Sequence, residues 1–256
     1  MRALGWAYMG LAYAFIFLPV AVLVLFSFQG GRLPVPPFNG PSLKWHAQVL
    51  GDADVRAALL ASLTVGVVSS GVALVLGFLA AHALSRHRLA GSGLIRALLM
   101  APLTVSALII ALGLLTVLTQ AGLRPSLLAV GVGHVVINLP LCFAILYAAM
   151  GDHQKSAERA ARDLGATEAQ VLWLVSAPML KAPLLAAFFL SVTFSWDEFI
   201  IAFLLTRFEV TLPVEIWSML RSGLNPATNA VGSLMFLLSV AVLLVLEFTV
   251  FRKVAR

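Results

Sequence analysis

Two neighbouring carboxylates, Asp197 and Glu198, stand inside an otherwise apolar run, SVTFSWDEFIIAFLL. Near the centre of a membrane-spanning helix each would cost about 2.5–3.5 kcal/mol. Two in succession call for an aqueous cavity, a protein partner or a proton. Successive helical residues point about 100° apart, so one carboxylate can face a pore squarely while the other lies against an adjoining helix. The chemistry such a pair offers is attraction for a cation. Trp196 beside them could add a cation–π face or part of a gate. The competing expectation is that both carboxylates pair with Arg or Lys of another membrane subunit.

Catalytic chemistry finds little support. The chain has no P-loop pattern G-x-x-x-x-G-K-[ST], so it cannot bind ATP by that means. No nucleophile–base motif or His-rich metal set stands out, and no catalytic or metal-binding residue is assigned. Cys142 is the single cysteine and sits in an apolar run, which reads as a small buried hydrophobe. His134 and Asn138 are expected to hydrogen-bond between helices, with a position in a cavity as the alternative. His82 and His87 are expected to face headgroups or water.

The elements that position these residues must be helices in lipid. Hydrophobic residues make up 61% of the 256-residue chain and charged residues 11%, against about a quarter charged in soluble domains. Mean hydropathy is +1.01. Backbone amides in lipid need internal partners, which leaves helices or closed barrels. The apolar runs here are long and unalternated, unlike barrel strands. Six are long enough to cross, at about twenty residues each: 6–28, 57–84, 94–119, 127–150, 183–206 and 230–251. The first has Arg2 but no small-residue cleavage site and reads as a retained helix. The fifth places Asp197 about 24 Å beyond Lys181 at 1.5 Å per residue, in the outer half of the membrane. Gly66, Gly71 and Gly77 in the second are expected to serve close helix packing.

With both termini on one side, most of the 17 Lys and Arg residues fall on that side. The positive-inside rule makes it the cytoplasm. The net charge of +6 then reflects membrane orientation rather than nucleic-acid binding. The external segment 29–55 begins rich in Pro and Gly and continues as WHAQVLGDADV, a candidate interfacial helix. Trp45 and Trp217 suit the headgroup level. One membrane domain, 1–256, is the simplest organisation.

A polar segment, ERAARDLGATEAQVLWLVSAP, interrupts the spans at 158–178. Asp152 or Ser156 can cap a helix stabilised by the i,i+4 pairs Glu158–Arg162 and Arg159–Asp163, each worth a few tenths of a kcal/mol. Ala160 and Ala161 give it a nearly bare surface. Gly165 is a natural stop. Thr167 and Gln170 have capping-box spacing for a second helix, whose apolar side is Val171, Leu172, Leu174 and Val175 and which Pro178 ends.

This segment resembles the cytoplasmic loop of permeases of binding-protein-dependent ABC importers. Their pattern is E-A-A, three residues, G, nine residues, I, one residue, L-P. Here Arg159, Ala160, Ala161, Gly165, Val175, Ala177 and Pro178 match its spacing. Arg159 replaces Glu, with Glu158 one residue early. Val175 replaces Ile and Ala177 replaces Leu. Together with DLGATE, SVTFSWDEFIIAFLLT, LPVEIWSMLRSGLNPATNAVGSL and NLPLCFAILYAAM, the likeness extends to the second permease subunit of the spermidine/putrescine group over most of the chain after Leu127.

The resemblance implies an all-α integral membrane protein of the type I importer permease class: six transmembrane helices with a coupling-helix loop at about 152–180. It implies a bacterial inner-membrane location and a translocation subunit rather than an enzyme. It implies ATPase coupling through Glu158, Arg159, Ala160, Ala161, Asp163, Gly165, Ala166 and Pro178, with Trp196, Asp197 and Glu198 on the substrate pathway. The implied partners are a second, different permease, two ATPase subunits that carry ATP and Mg, a periplasmic solute-binding protein and lipid. No cofactor is implied in this chain. The expected solute is a polyamine or related small cation. The alternatives are another small solute such as an amino-acid derivative, an ion-coupled secondary transporter, and a membrane enzyme. A secondary transporter would carry an inverted repeat, which the sequence lacks.

Overall fold

The computed structural model describes residues 2–246 and is helical, with one isolated antiparallel bridge between Gln29 and Pro41. In chain order the helices are α1 (Arg2–Ser27), α2 (Lys44–Gly51), α3 (Ala53–Arg86), α4 (Ser92–Met100), α5 (Ala107–Gln120), α6 (Leu127–Ala149), α7 (Asp152–Asp163), α8 (Glu168–Gln170), α9 (Ala177–Met179), α10 (Lys181–Asp197), α11 (Ile200–Leu205), α12 (Leu212–Ser222) and α13 (Pro226–Leu246). A 3₁₀ turn, Ala101–Leu103, follows α4, and a π segment, Val171–Ser176, joins α8 to α9.

Four helices, α1, α3, α6 and α13, are long and apolar enough to cross a membrane unaided. The expected six is reached only if two bent pairs, Ser92–Leu103 with Ala107–Gln120 and Glu168–Met179 with Lys181–Asp197, each count as one span. The third expected run, 94–119, is in fact Ser92–Leu103 and Ala107–Gln120, bent by 105°. Pro102 lies in the 3₁₀ turn just before that break and removes a backbone donor from the helical ladder; Ser106 restarts the helix by accepting from Ile109 and Ile110 through its carbonyl. The fifth expected run, 183–206, is also not continuous. Helix α10 stops at Asp197, Glu198 is extended, and α11 begins at Ile200. The 17 residues of α10 reach about 26 Å at 1.5 Å per residue. Glu247, expected from the sequence to be an interfacial charge near Arg252, and the end of the sixth expected run lie outside the described residues.

The chain forms two compact units, one from residues up to Ala58 with Leu212–Ala241, the other centred on Leu59–Thr211. In the first, the side chain of Gln29 organises the loop 30–42. Its Nε2 donates to the carbonyls of Val35 at 3.1 Å and Pro37 at 3.0 Å, and its Oε1 accepts from the Asn39 N–H at 2.7 Å. Trp45 is not at an exposed interface as expected: it is buried, and its Nε1 donates to the Gln29 carbonyl at 2.8 Å. A buried indole needs such an acceptor. The expected short helix is present as α2. Helix α1 keeps its apolar side chains exposed along most of its length, the composition of a surface solvated by lipid or another apolar helix.

In the second unit, α6 is the central element, packed against α10, α11, α4 and α5. Small residues allow these approaches. Ala73, Cys142 and Ala187 form one buried cluster across α3, α6 and α10. A Cβ on Gly77 would lie 2.9 Å from both Cys142 Cβ and the Phe143 nitrogen, so α3 and α6 meet there at backbone distance. Gly133 of α6 performs the same service for Ile201 and Leu205 of α11. Gly71 faces open space, so the packing role expected for it does not hold. Lower on the same helices, Phe78, Ala81, Leu84, Phe143, Leu146 and Leu180 make a second buried cluster, with Leu172 and Ala177 packed against it.

Candidate functional site

The loop after α6 folds into a helix pair. Gly151 stands at the N-cap of α7, with its N–H donating to Gln154 Oε1 at 3.1 Å. Neither Asp152 nor Ser156 caps it: Asp152 is the first helical residue, and the Ser156 hydroxyl donates back to its carbonyl. At the other end, Gly165 has φ +88°, the Gly165 N–H donates to the Arg162 carbonyl at 2.9 Å, and the Ala166 N–H donates to the Ala161 carbonyl at 3.0 Å. These two bonds are the Schellman arrangement, which satisfies the last carbonyls and needs a left-handed residue. Thr167 and Gln170 then exchange bonds reciprocally, as their spacing predicted: Thr167 N–H to Gln170 Oε1 at 2.8 Å and Gln170 N–H to Thr167 Oγ1 at 3.3 Å.

The expected i,i+4 pairs do not form. Glu158 is 1% exposed and turns into the protein. Its Oε2 accepts from Arg86 Nε at 2.6 Å, and its Oε1 accepts from Arg86 Nη2 at 3.1 Å and from Ser176 Oγ at 2.8 Å. A desolvated carboxylate takes the strongest donors it can reach, and a bidentate guanidinium outcompetes a solvated i+4 partner. Removing one member of such a buried pair costs about 3–5 kcal/mol, because the other charge is left unpaired. Burial pushes the Glu158 carboxyl up, but the bonds from Arg86 and Ser176 and the Arg86 charge outweigh it, and the net direction is down. Arg162 instead forks onto Glu168, at 2.7 and 3.0 Å, across the glycine turn.

The opposite face of α7 carries Arg159, Ala160, Asp163 and Leu164, all exposed. Trp173 and Leu174 of the π segment are exposed as well. Val171 is buried and Leu172 partly so; Leu174 is not part of an inward apolar side. Pro178 does not end the second helix. The chain continues through it to Met179 and then bends by 79° into α10. The π segment shifts the hydrogen-bond ladder just ahead of Pro178, which accommodates a residue without an N–H. His82 is likewise buried, not turned to water, and rests near the Phe78 ring.

The break between α10 and α11 forms a second candidate region. Glu198 Oε1 accepts from the Ile201 N–H at 3.0 Å and so caps α11. Glu198, Asn138, Phe194, Pro102 and Leu141 line a cavity of about 190 Å³. Asn138 is 1% exposed and its Nδ2 finds no acceptor among the described residues. Of the three residues expected on a pathway, Glu198 lines this cavity. Asp197 ends α10 and is exposed, and Trp196 is buried with its Nε1 lacking an acceptor among the described residues. Behind the break, His134 Nδ1 and Ser195 Oγ share a hydrogen bond at 2.5 Å, and Ser195 Oγ lies 3.4 Å from Ser69 Oγ. This is the interhelical role expected for His134. Asn138 takes the alternative position, in the lining of the cavity. Ser69 and Ser195 carry no sequence signal beyond being polar in apolar runs.

A family model described as "Binding-protein-dependent transport system inner membrane component" matches residues 73–255. The spermidine/putrescine transport system permease protein PotC of Escherichia coli is 26% identical over 245 residues, 95% of this chain and 92% of that one. The putrescine transport system permease protein PotI of Escherichia coli is 31% identical over 232 residues, 88% of this chain and 82% of that one. A chain of a bacterial alginate ABC transporter, solved in complex with an alginate pentasaccharide-bound periplasmic protein, superposes with a TM-score of 0.69 at 15% identity, covering 96% of this chain and 93% of that one. The last likeness is one of fold.

Proposed function

The chain belongs to the binding-protein-dependent transport system inner membrane component family, and we propose that it is the permease through which a polyamine, or a related small cationic solute, enters the cell. It is a translocation subunit; hydrolysis of ATP belongs to separate ATPase subunits. The observation that carries the coupling assignment is the two-sided character of α7. One face is locked inward by Glu158, and the other presents Arg159, Ala160, Asp163 and Leu164 in front of the Gly165 turn. Ala160 admits a close-fitting partner surface, Gly165 and Ala166 make the turn between the two helices, and Pro178 lies just ahead of the bend into α10. In this reading α7 docks on a cytoplasmic ATPase that holds ATP and Mg. Both termini are cytoplasmic, a second permease completes the pathway, and a periplasmic binding protein delivers the solute.

The cationic solute is supported by the names of the two relatives and by the carboxylates at the α10–α11 break. Glu198 reaches the cavity beside Asn138; Asp197 and Trp196, which do not line it, are assigned to the approach. Two experiments test the reading. The periplasmic binding protein that co-purifies with the assembled transporter should bind putrescine or spermidine in calorimetry, and binding of only uncharged or anionic solutes would reject the polyamine assignment. Ala160→Trp should leave the permease folded but abolish co-purification of the ATPase. Retained ATPase would reject α7 as the docking element.

A further inference from the structure

Two ion pairs are found among the described residues, and Arg86–Glu158 is the buried one, with side-chain exposures of 6% and 1%. It joins three segments that the sequence keeps apart: the last residue of α3, the middle of α7, and, through Ser176, the end of the π segment that leads by α9 into α10. Both carboxylate oxygens of Glu158 are used. A two-pronged guanidinium contact fixes orientation as well as distance, which a point-charge ammonium does not. Phe78 of α3 also meets Trp173 of the π segment, with 6.1 Å between ring centroids.

This arrangement gives α7 a rigid inward anchor directly behind its exposed face. Movement of α7 therefore bears on two helices at once. One is α3, which carries Ser69. The other is α10, which carries Ser195 and ends at the Asp197–Glu198 break. The π segment between α7 and α10 is the kind of interruption at which a helix can change register.

We propose that the Arg86–Glu158–Ser176 clamp is the linkage that transmits displacement of α7 to α3 and α10 together. Arg86, Glu158 and Ser176 are positioning residues; none touches the solute. The proposal rests on the coupling role given to α7 above. It assigns that role an inward transmission point which the outward docking surface does not supply.

The test uses the complete transporter (this permease, its partner permease, the ATPase and the binding protein) in proteoliposomes. The readout is solute moved per ATP hydrolysed, with radiolabelled putrescine as probe. The double variant Arg86→Met/Glu158→Met replaces the buried pair by apolar side chains, a change that buried pairs tolerate in stability. It should assemble, melt within a few degrees of the wild type and hydrolyse ATP, while transport per ATP falls about tenfold. Arg86→Lys keeps the charge without the fork and should lower the ratio by about threefold. A double variant that transports per ATP as the wild type does would reduce the clamp to packing and overturn the proposal. Should the double variant fail to assemble, Ser176→Ala decides, since it removes only the third hydrogen bond; an unchanged ratio overturns the proposal. Wild-type uptake that continues without the ATPase would instead refute the coupling role of α7, a result separable from either variant.

Discussion

Glu198 and Ile201 are bound to each other across the break in the fifth apolar run: the carboxylate of one accepts the backbone N–H of the other at 3.0 Å. A residue that holds a helix start and lines a cavity has two separable roles. Glu198→Gln keeps an acceptor for Ile201 and loses the charge. It should leave the melting temperature near the wild-type value and lower putrescine uptake about tenfold, an order of loss typical when a charged partner is removed from a ligand. Glu198→Ala should in addition destabilise by about 1 kcal/mol, the usual worth of a helix cap. Asp197→Asn, at an exposed position, should have the smaller effect. Uptake and thermal unfolding on the same preparations separate the two roles.

The His134–Ser195 bond makes a prediction about stability alone. Ser195→Ala leaves His134 Nδ1 without that partner inside the helix bundle. Hydrogen bonds between membrane helices are worth about 0.6–1.7 kcal/mol. A loss within that range in detergent unfolding is expected, with uptake reduced only in proportion to folded protein.

Gly77 and Gly71 should part company on substitution. An added methyl at Gly77 meets Cys142 and the Phe143 backbone at 2.9 Å, whereas one at Gly71 meets nothing within 4 Å. Gly77→Ala is expected to destabilise by about 1–3 kcal/mol as α3 and α6 are forced apart. Gly71→Ala is expected to be neutral or to stabilise by up to about 1 kcal/mol through helix propensity. Equal effects would contradict the packing described for α3 and α6.

The Glu158 carboxyl sits below its ordinary value of 4.5. A carboxyl lowered on folding adds stability that is fully present above its unfolded value and is lost as pH falls through the folded one. Thermal stability should therefore hold from neutral pH down to about 5 and decline below 4.5, with the decline shallower in Glu158→Gln. Glu215 runs the other way. Burial raises it, as do the neighbouring Asp54 and Asp52. Its contribution is present at low pH and lost as pH rises through its folded value, so Glu215→Gln should raise the melting temperature at pH 7.

Much of the loop was legible in the sequence because its signals are local. Gly165 at a left-handed position and the Thr167–Gln170 exchange need only a few neighbouring residues to form. Glu158 was not legible: its partner is 72 positions away at Arg86, and nearby Arg162 offered a plausible local pair. The apolar runs marked helices correctly but hid two bends. Hydropathy sums side chains and is blind to backbone donors, so Pro102 passed unnoticed within a run and the stop at Asp197 was taken for polar residues inside a continuous span. Gln29 and Trp45 were missed for a related reason. Their roles depend on loop carbonyls that acquire directions only after folding.

In the proposed function, α7 receives its motive force from a separate ATPase. The most direct measurement is putrescine uptake into proteoliposomes containing both permeases and the binding protein, with the ATPase either present or omitted. Uptake is expected only with the ATPase and hydrolysable ATP, and none with an ion gradient alone. Undiminished uptake without the ATPase would contradict it.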